Sequence, residues 1–297
     1  MIYKNALLHN VAELVADKGN EGLRIQRVPE SVRVKLEEPA RARTQNPDGC
    51  EIRFVLQGSE AAITVRAAEV GTTARLFFGP FDARQAWVIG SEPTTIRVSV
   101  PPDQRERMAV LSPRRLASFP FAPAVCRLVF HQRGIVLLQD IQGDIRPPTP
   151  AELPGKTILG YGTSITHGAA ATQHHLTWLA QTAWRLGADA VNLGVGGACR
   201  SEPVFGDYIA ERTDWNVAIL SLSVNMIGAG FSIAEFRERT GYLIRRVAEA
   251  HPDKPVVCVS IYPYFGDFEP GLQPTAKATP NEFREALRAV VEELGHD

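Results

Sequence analysis

Hydrophobic and polar positions alternate along the first half of the chain, from about Leu23 to Gln142. Val32, Val34 and Leu36 alternate with Arg33 and Lys35, Ile63 and Val65 with Thr64 and Arg66, and Ile96, Val98 and Val100 with Arg97 and Ser99. A period of two sends successive side chains to opposite faces, so these runs predict half-buried strands. Gly58, Gly71, Gly79-Pro80, Gly90, Pro101-Pro102 and Gly134 punctuate them. Many short strands with such spacing predict an all-β, jelly-roll-like sandwich.

The grammar changes after residues 146–155, RPPTPAELPG, whose four prolines extend neither a sheet nor a helix. Apolar runs of strand length then follow at Thr157–Gly162, Ala190–Val195, Val217–Val224 and Val256–Tyr262, separated by helical patterns. One helix is predicted around His174–Leu186, with Leu176, Leu179, Ala183 and Leu186 on one face. A second opens with the capping box Ser232-x-x-Glu235 and turns Phe236, Leu243, Ile244 and Val247 inward. A third opens with Thr279, Pro280 and Glu282 and runs through Phe283, Leu287, Val290, Val291 and Leu294 to Gly295. The expected organisation is a β-sandwich over residues 1–146, a linker at 147–155, and a three-layer α/β/α domain with a parallel sheet over 156–297.

Composition narrows the partners. With 32 Lys and Arg against 33 Asp and Glu, interspersed, nothing predicts a nucleic-acid or membrane-surface patch, and the expected partner is a small, largely uncharged molecule. The N-terminal residues show no secretory signal pattern, and no apolar run reaches membrane-spanning length. Cys50, Cys126, Cys199 and Cys258 are far apart and form no C-x-x-C pair, which argues against a cysteine zinc site and for reduced thiols in a cytoplasmic protein. No metal or organic cofactor is implied, and self-association into a homo-oligomer is left open.

Candidate chemistry gathers at the ends of the first three strands of the second half. Tyr161-Gly162-Thr163-Ser164-Ile165-Thr166-His167-Gly168 follows the first of them. Ligands of open α/β sheets bind beyond the carboxyl ends of the strands, so Ser164 stands where a nucleophile is useful; the plainer alternative is a helix-capping serine. Asn192-Leu193-Gly194-Val195-Gly196-Gly197 ends the second strand in glycines that let a backbone N–H approach a ligand, or that simply form a tight turn. Ser223-Val224-Asn225-Met226 ends the third with a carboxamide, a neutral donor suited to a developing oxyanion or to loop backbone.

These three blocks, in this order, resemble those of the SGNH, or GDSL-like, hydrolase family. The resemblance implies Ser164 as nucleophile, with Gly197 and Asn225 as oxyanion-hole donors, in a serine esterase acting on small acyl esters such as acetyl groups on sugars. An acyltransferase using the same site is a close variant, and a non-catalytic carbohydrate-binding relic is the alternative from another class. Exposed aromatics among Phe77, Phe78, Phe81 and Trp87 would favour the relic; their plainer reading is core.

Two departures from the family pattern stand out. Block three reads S-V-N-M where the family has G-x-N-D, which predicts a changed pocket wall at Ser223 and Met226 with the amide donor intact. The family's last block, D-x-x-H, which supplies the base and its orienting acid, has no counterpart in these 297 residues. A serine hydroxyl needs a base within reach, so little or no turnover is expected of this chain. His167, one turn from Ser164, lacks an adjacent orienting carboxylate and is expected to line the pocket or face water, while His296-Asp297 is expected at the wrong end of the sheet. The helix Phe283–Leu294 ordinarily leads to another strand, so the expectation is a continuation past Asp297 that supplies the acid and base, or a partner covering the edge of the 256–261 run.

Overall fold

The computed structural model describes residues 1–297 apart from 17, 18, 20, 132, 133, 270–272, 296 and 297. The His296-Asp297 pair therefore lies outside the described residues. Two compact units divide the chain, and neither is a single continuous stretch. Unit 1 comprises Met1–Glu30, Thr44–Thr157 and Ala171–Val191; unit 2 comprises Ser31–Arg43, Ile158–Ala170 and Asn192–Asp297.

Unit 1 is built on a ten-stranded antiparallel sheet. Its spine is the 17-residue strand Glu51–Ala67. The first part of that strand pairs with Val125–His131 and Ala6–His9 and the later part with Thr94–Val98, while Val136–Arg146 pairs with the later part and reaches Leu56 and Val55. Between them Gln57–Glu60 are exposed, so one strand serves two sets of neighbours across a polar stretch. Ile52, Phe54, Ile63, Val65, Ile96, Val98, Leu128 and Phe130 fill one core. The predicted alternation at Ile63/Val65 and Ile96/Val98 is this inward-facing row.

A buried charge cluster lies in the same unit. Arg53, 1 % exposed, donates through Nε to Glu51 and through Nη2 to Asp189 at 2.8 Å each. Arg127 also donates to Glu51, at 2.6 Å, so two guanidiniums face two carboxylates. Against the opposing effect of burial, Arg127 and Arg53 hold the Glu51 carboxyl well below the ordinary carboxylate range, and Arg53 and His9 hold that of Asp189 below it.

Two predicted elements differ. Residues 32–36 form no strand: Glu30–Arg33 is a short helix followed by a turn, Leu36 is buried and Val34 is exposed. Five alternating residues also fit a helical turn with one inward position, and no sheet neighbour selects the extended form here. The helix expected from His174 begins at Trp178, because Thr177 is extended and caps it by accepting from Ala180 N–H at 3.3 Å. Only Leu179 and Ala183 of the predicted face are buried; Leu176 and Leu186 are exposed.

A four-stranded parallel sheet with helices forms the second architecture, in the order Asp189–Gly194, Thr157–Gly162, Val217–Ser221, Val256–Val259. All four predicted strands are present. The helices Ile233–Ala250 and Pro280–Glu293 carry the predicted capping boxes at Ser232/Glu235 and Thr279/Glu282. Their buried residues include Phe236, Leu243, Ile244 and Val247 on the first and Phe283, Leu287 and Val290 on the second. Val256–Val259 is one of the two outer strands, and Val257 is exposed. No helix among the described residues is long and apolar enough to cross a membrane. The four cysteines are free thiols.

Candidate active site

The strand Thr157–Gly162 runs into a one-turn helix, Ser164–His167. Thr163 is the capping residue, its hydroxyl accepting from Ile165 N–H at 3.3 Å. The capping role is therefore taken, and Ser164 is the first helical residue, half-buried at the strand's carboxyl end. Gly168, at φ 99°, closes the turn, and its N–H donates to the Ser164 carbonyl at 2.9 Å.

The loop after Asp189–Gly194 is pressed against this turn. A Cβ on Gly194 would lie 2.3 Å from the backbone nitrogen of His167, which only glycine allows. Asn192 ties the two together: its Nδ2 donates to the Thr166 carbonyl at 2.9 Å, and its Oδ1 accepts from Gly194 N–H at 2.8 Å. Gly196 follows, and a Cβ there would lie 3.6 Å from Cα and Cβ of Ser164 and 3.0 Å from Nδ1 of His167. Gly197 takes φ 74° and has open space where a side chain would stand.

Asn225 sits in the short helix Val224–Gly228 after the third strand and is half-buried. Its Oδ1 accepts from Cys199 N–H at 3.1 Å, which fixes the amide plane and commits the oxygen. Contacts thus link the three predicted residues: Ser164 to the Gly196–Gly197 turn, and that turn through Cys199 to Asn225.

His167 is buried, not solvent-facing, and its Nδ1 accepts from Gly196 N–H at 3.1 Å. That bond places the ring proton on Nε2. The ring thereby supports the glycine turn.

Ser223 and Met226 are both fully buried, so the expected change of pocket wall is a change of packing inside the domain. Ser223 takes φ 105° and ψ −54°, a backbone conformation suited to glycine, at the position where the family pattern has its glycine.

Arg43 was not foreseen. Its Nε donates to the Gly196 carbonyl at 3.1 Å. Nothing in an Arg-rich helical stretch near residue 40 marks such a role, because the contact spans 153 residues of sequence. Behind the loop, Glu202 is 4 % exposed, and burial pushes its carboxyl up to about 7.

The family model of GDSL-like lipases and acylhydrolases matches residues 161–297. This domain is a member of that family. Among solved structures, a salicylyl-acyltransferase from a tetracycline biosynthetic pathway superposes on 98 % of this chain and 79 % of its own, with TM-score 0.76 and 17 % identity. A GDSL-like lipase from Bacteroides ovatus does so over 98 % and 82 %, with TM-score 0.65 and 17 % identity. A family two carbohydrate esterase from Clostridium thermocellum covers 84 % and 81 %, with TM-score 0.55 and 16 % identity. No curated protein matches. At such identities the structural likeness speaks for the fold, which pairs a β-rich N-terminal part with the GDSL-like domain. The match to a lipase and acylhydrolase family supports acyl-ester chemistry in this domain.

Proposed function

We propose that the GDSL-like domain attacks a small carbonyl ester with Ser164 and forms an acyl-serine intermediate. The backbone N–H groups of Ser164 and Gly197 and Nδ2 of Asn225 receive the developing oxyanion. The observation that carries this reading is the Cys199–Asn225 bond: with Oδ1 committed to a backbone donor two residues past Gly197, the carboxamide has Nδ2 as the group to offer a developing oxyanion. Donors fixed before the charge develops need no reorganisation when it does.

In the first step the Ser164 hydroxyl oxygen bonds to the ester carbon as its proton passes to a base. Collapse then expels the alcohol, which takes a proton, and water or another alcohol attacks the acyl-serine in the same way. His167 Nδ1 is engaged by Gly196 N–H, so it is not that base. No D-x-x-H is present in the sequence, and the 297-residue chain should turn over slowly unless a base is added. Acetyl esters on a carbohydrate are the substrate class we favour, in a cytoplasmic setting. The carbohydrate esterases among the structural neighbours, one of them in complex with cellohexaose, support it. An acyltransferase remains the close variant, supported by the salicylyl-acyltransferase. The sandwich aromatics do not favour a binding relic: Phe77 and Phe78 are buried and Trp87 packs against the core, leaving Phe81 exposed.

Hydrolysis of a short-chain aryl acetate with imidazole supplied as external base tests the reading. Turnover above that of Ser164→Ala at the same imidazole concentration, and a fluorophosphonate adduct mapped to Ser164, are expected. Equal rates in the two proteins, with no adduct at Ser164, would sink it. Adding a primary alcohol and analysing the products separates hydrolysis from transfer.

A further inference from the structure

Far from Ser164 in sequence, and within unit 1, a second cluster of chemically active side chains is used by none of the steps above. Asp48, His131 and His174 each offer one ligand atom, and the three atoms lie within 4.8 Å of one another. All three are buried: Asp48 is 0 % exposed, and the two histidines are 7 % exposed.

The hydrogen bonding of His131 fixes which ring atom faces the cluster. Its Nε2 lies 3.1 Å from the Ala171 carbonyl, which can only accept, so the ring proton is on Nε2. Nδ1 then carries a lone pair, has no hydrogen-bond partner, and faces Oδ1 of Asp48 at 3.9 Å. That separation is too long for a shared proton.

His174 adds a third donor. Its Nδ1 is likewise buried without a hydrogen-bond partner. Its ring rests on the backbone at Gly49, where a Cβ would come within 2.8 Å of Cε1, and Gly49 takes φ 75°. His174 also lines a cavity of about 250 Å³.

We propose that Asp48, His131 and His174 bind one zinc ion, which joins the loop before Glu51–Ala67, the strand Val125–His131 and the turn at His174. Two imidazole nitrogens and a carboxylate oxygen are a donor set that suits zinc, and a ligating histidine ordinarily hands its other N–H to a carbonyl, as His131 does to Ala171. Binding at about 2.0–2.1 Å to each atom draws the three together to roughly 3.4 Å apart. Cysteine spacing could not reveal such a set, because it contains no cysteine and its members come from three distant segments.

The test uses the full chain, stripped with a chelator and titrated with zinc chloride by calorimetry. One equivalent should bind and raise the melting temperature. Ser164→Ala should bind like wild type, and His131→Gln or His174→Gln should bind roughly 100-fold or more weakly. If those variants do not fold, X-ray absorption of the zinc-loaded wild type decides. Two imidazoles and an oxygen ligand are expected. No stoichiometric uptake, uptake unchanged in both folded variants, or a spectrum without two imidazoles would overturn the proposal.

Discussion

Nε of Arg43 donates to the carbonyl of Gly196 at 3.1 Å, and the peptide that carries this carbonyl also carries the N–H of Gly197. A trans peptide is planar, with its N–H opposite its C=O, so holding one end aims the other. The guanidinium also polarises the peptide and makes the Gly197 N–H a stronger donor. Arg43 is thus a positioning residue for the proposed oxyanion hole.

Arg43→Ala should lower imidazole-assisted turnover by about 3- to 10-fold, the worth of one exposed charge-assisted bond. KM should change little, and Arg43→Lys should recover part of the rate. A melting temperature that falls in step with activity would show that Arg43 serves stability alone.

Replacing Asn225 by Ala should cost about 100- to 1,000-fold in kcat, the usual effect of removing one oxyanion donor. Asn225→Asp should be no better, since it keeps an acceptor for Cys199 N–H but brings a negative charge to the oxyanion. Steady-state rates relative to Ser164→Ala measure this; an Asn225→Asp enzyme with wild-type kcat would contradict the assigned role.

Ser223→Gly should stabilise the fold by about 1 kcal/mol, since relief of a strained φ of 105° exceeds the entropy glycine adds to the unfolded chain. The Ser223 hydroxyl is buried without a hydrogen-bond partner, so its removal forfeits no bond. Urea unfolding reads the change, and a lower midpoint would show that the strain is offset by something the serine provides.

Two glycines give opposite expectations. Gly194→Ala sets a Cβ 2.3 Å from the His167 nitrogen and should cost about 3 kcal/mol or more. Gly228→Ala, in a helix with nothing within 4 Å, should be neutral or stabilising by about 0.5 kcal/mol. Thermal unfolding of the pair checks whether the loop is as tightly seated as described.

Glu202 sets a pH dependence. Its folded-state carboxyl stays protonated to about 7 while the unfolded one releases its proton near the usual 4.5, so its contribution is fully present below about 4.5 and is lost as pH rises through about 7. Glu202→Gln keeps an acceptor for Glu37 N–H and does not ionise. The variant should gain on wild type between those pH values, by roughly 2–3 kcal/mol at pH 8. Parallel stability profiles from pH 4.5 to 8 would refute this origin of the dependence.

Much of the second architecture was legible because its signals are local. Buried parallel strands are short apolar runs, and the boxes at Ser232 and Thr279 announce helix starts within four residues. The helix face assigned to Leu176 and Leu186 failed because one extended residue, Thr177, moves the start of the helix. Residues 32–36 misled because five residues hold too few repeats to separate a strand from a turn. In the site, block order indicated Ser164, Gly197 and Asn225, which the structure links through one loop. Arg43, the support from His167 and the backbone of Ser223 depend on partners distant in sequence or on a dihedral angle, and no spacing encodes either.

The pairing of Arg53 with Asp189 also bears on the order in which the chain can fold as it leaves the ribosome. The carboxylate arrives 136 residues after the guanidinium it will neutralise. Glu51 is shared with Arg127, so a sheet that closed early would enclose two positive charges with one negative. Synthesis past the proline-rich stretch to about residue 191 is then a condition for completing unit 1, and a nascent chain halted at Gly155 should stay open to chaperones and proteases.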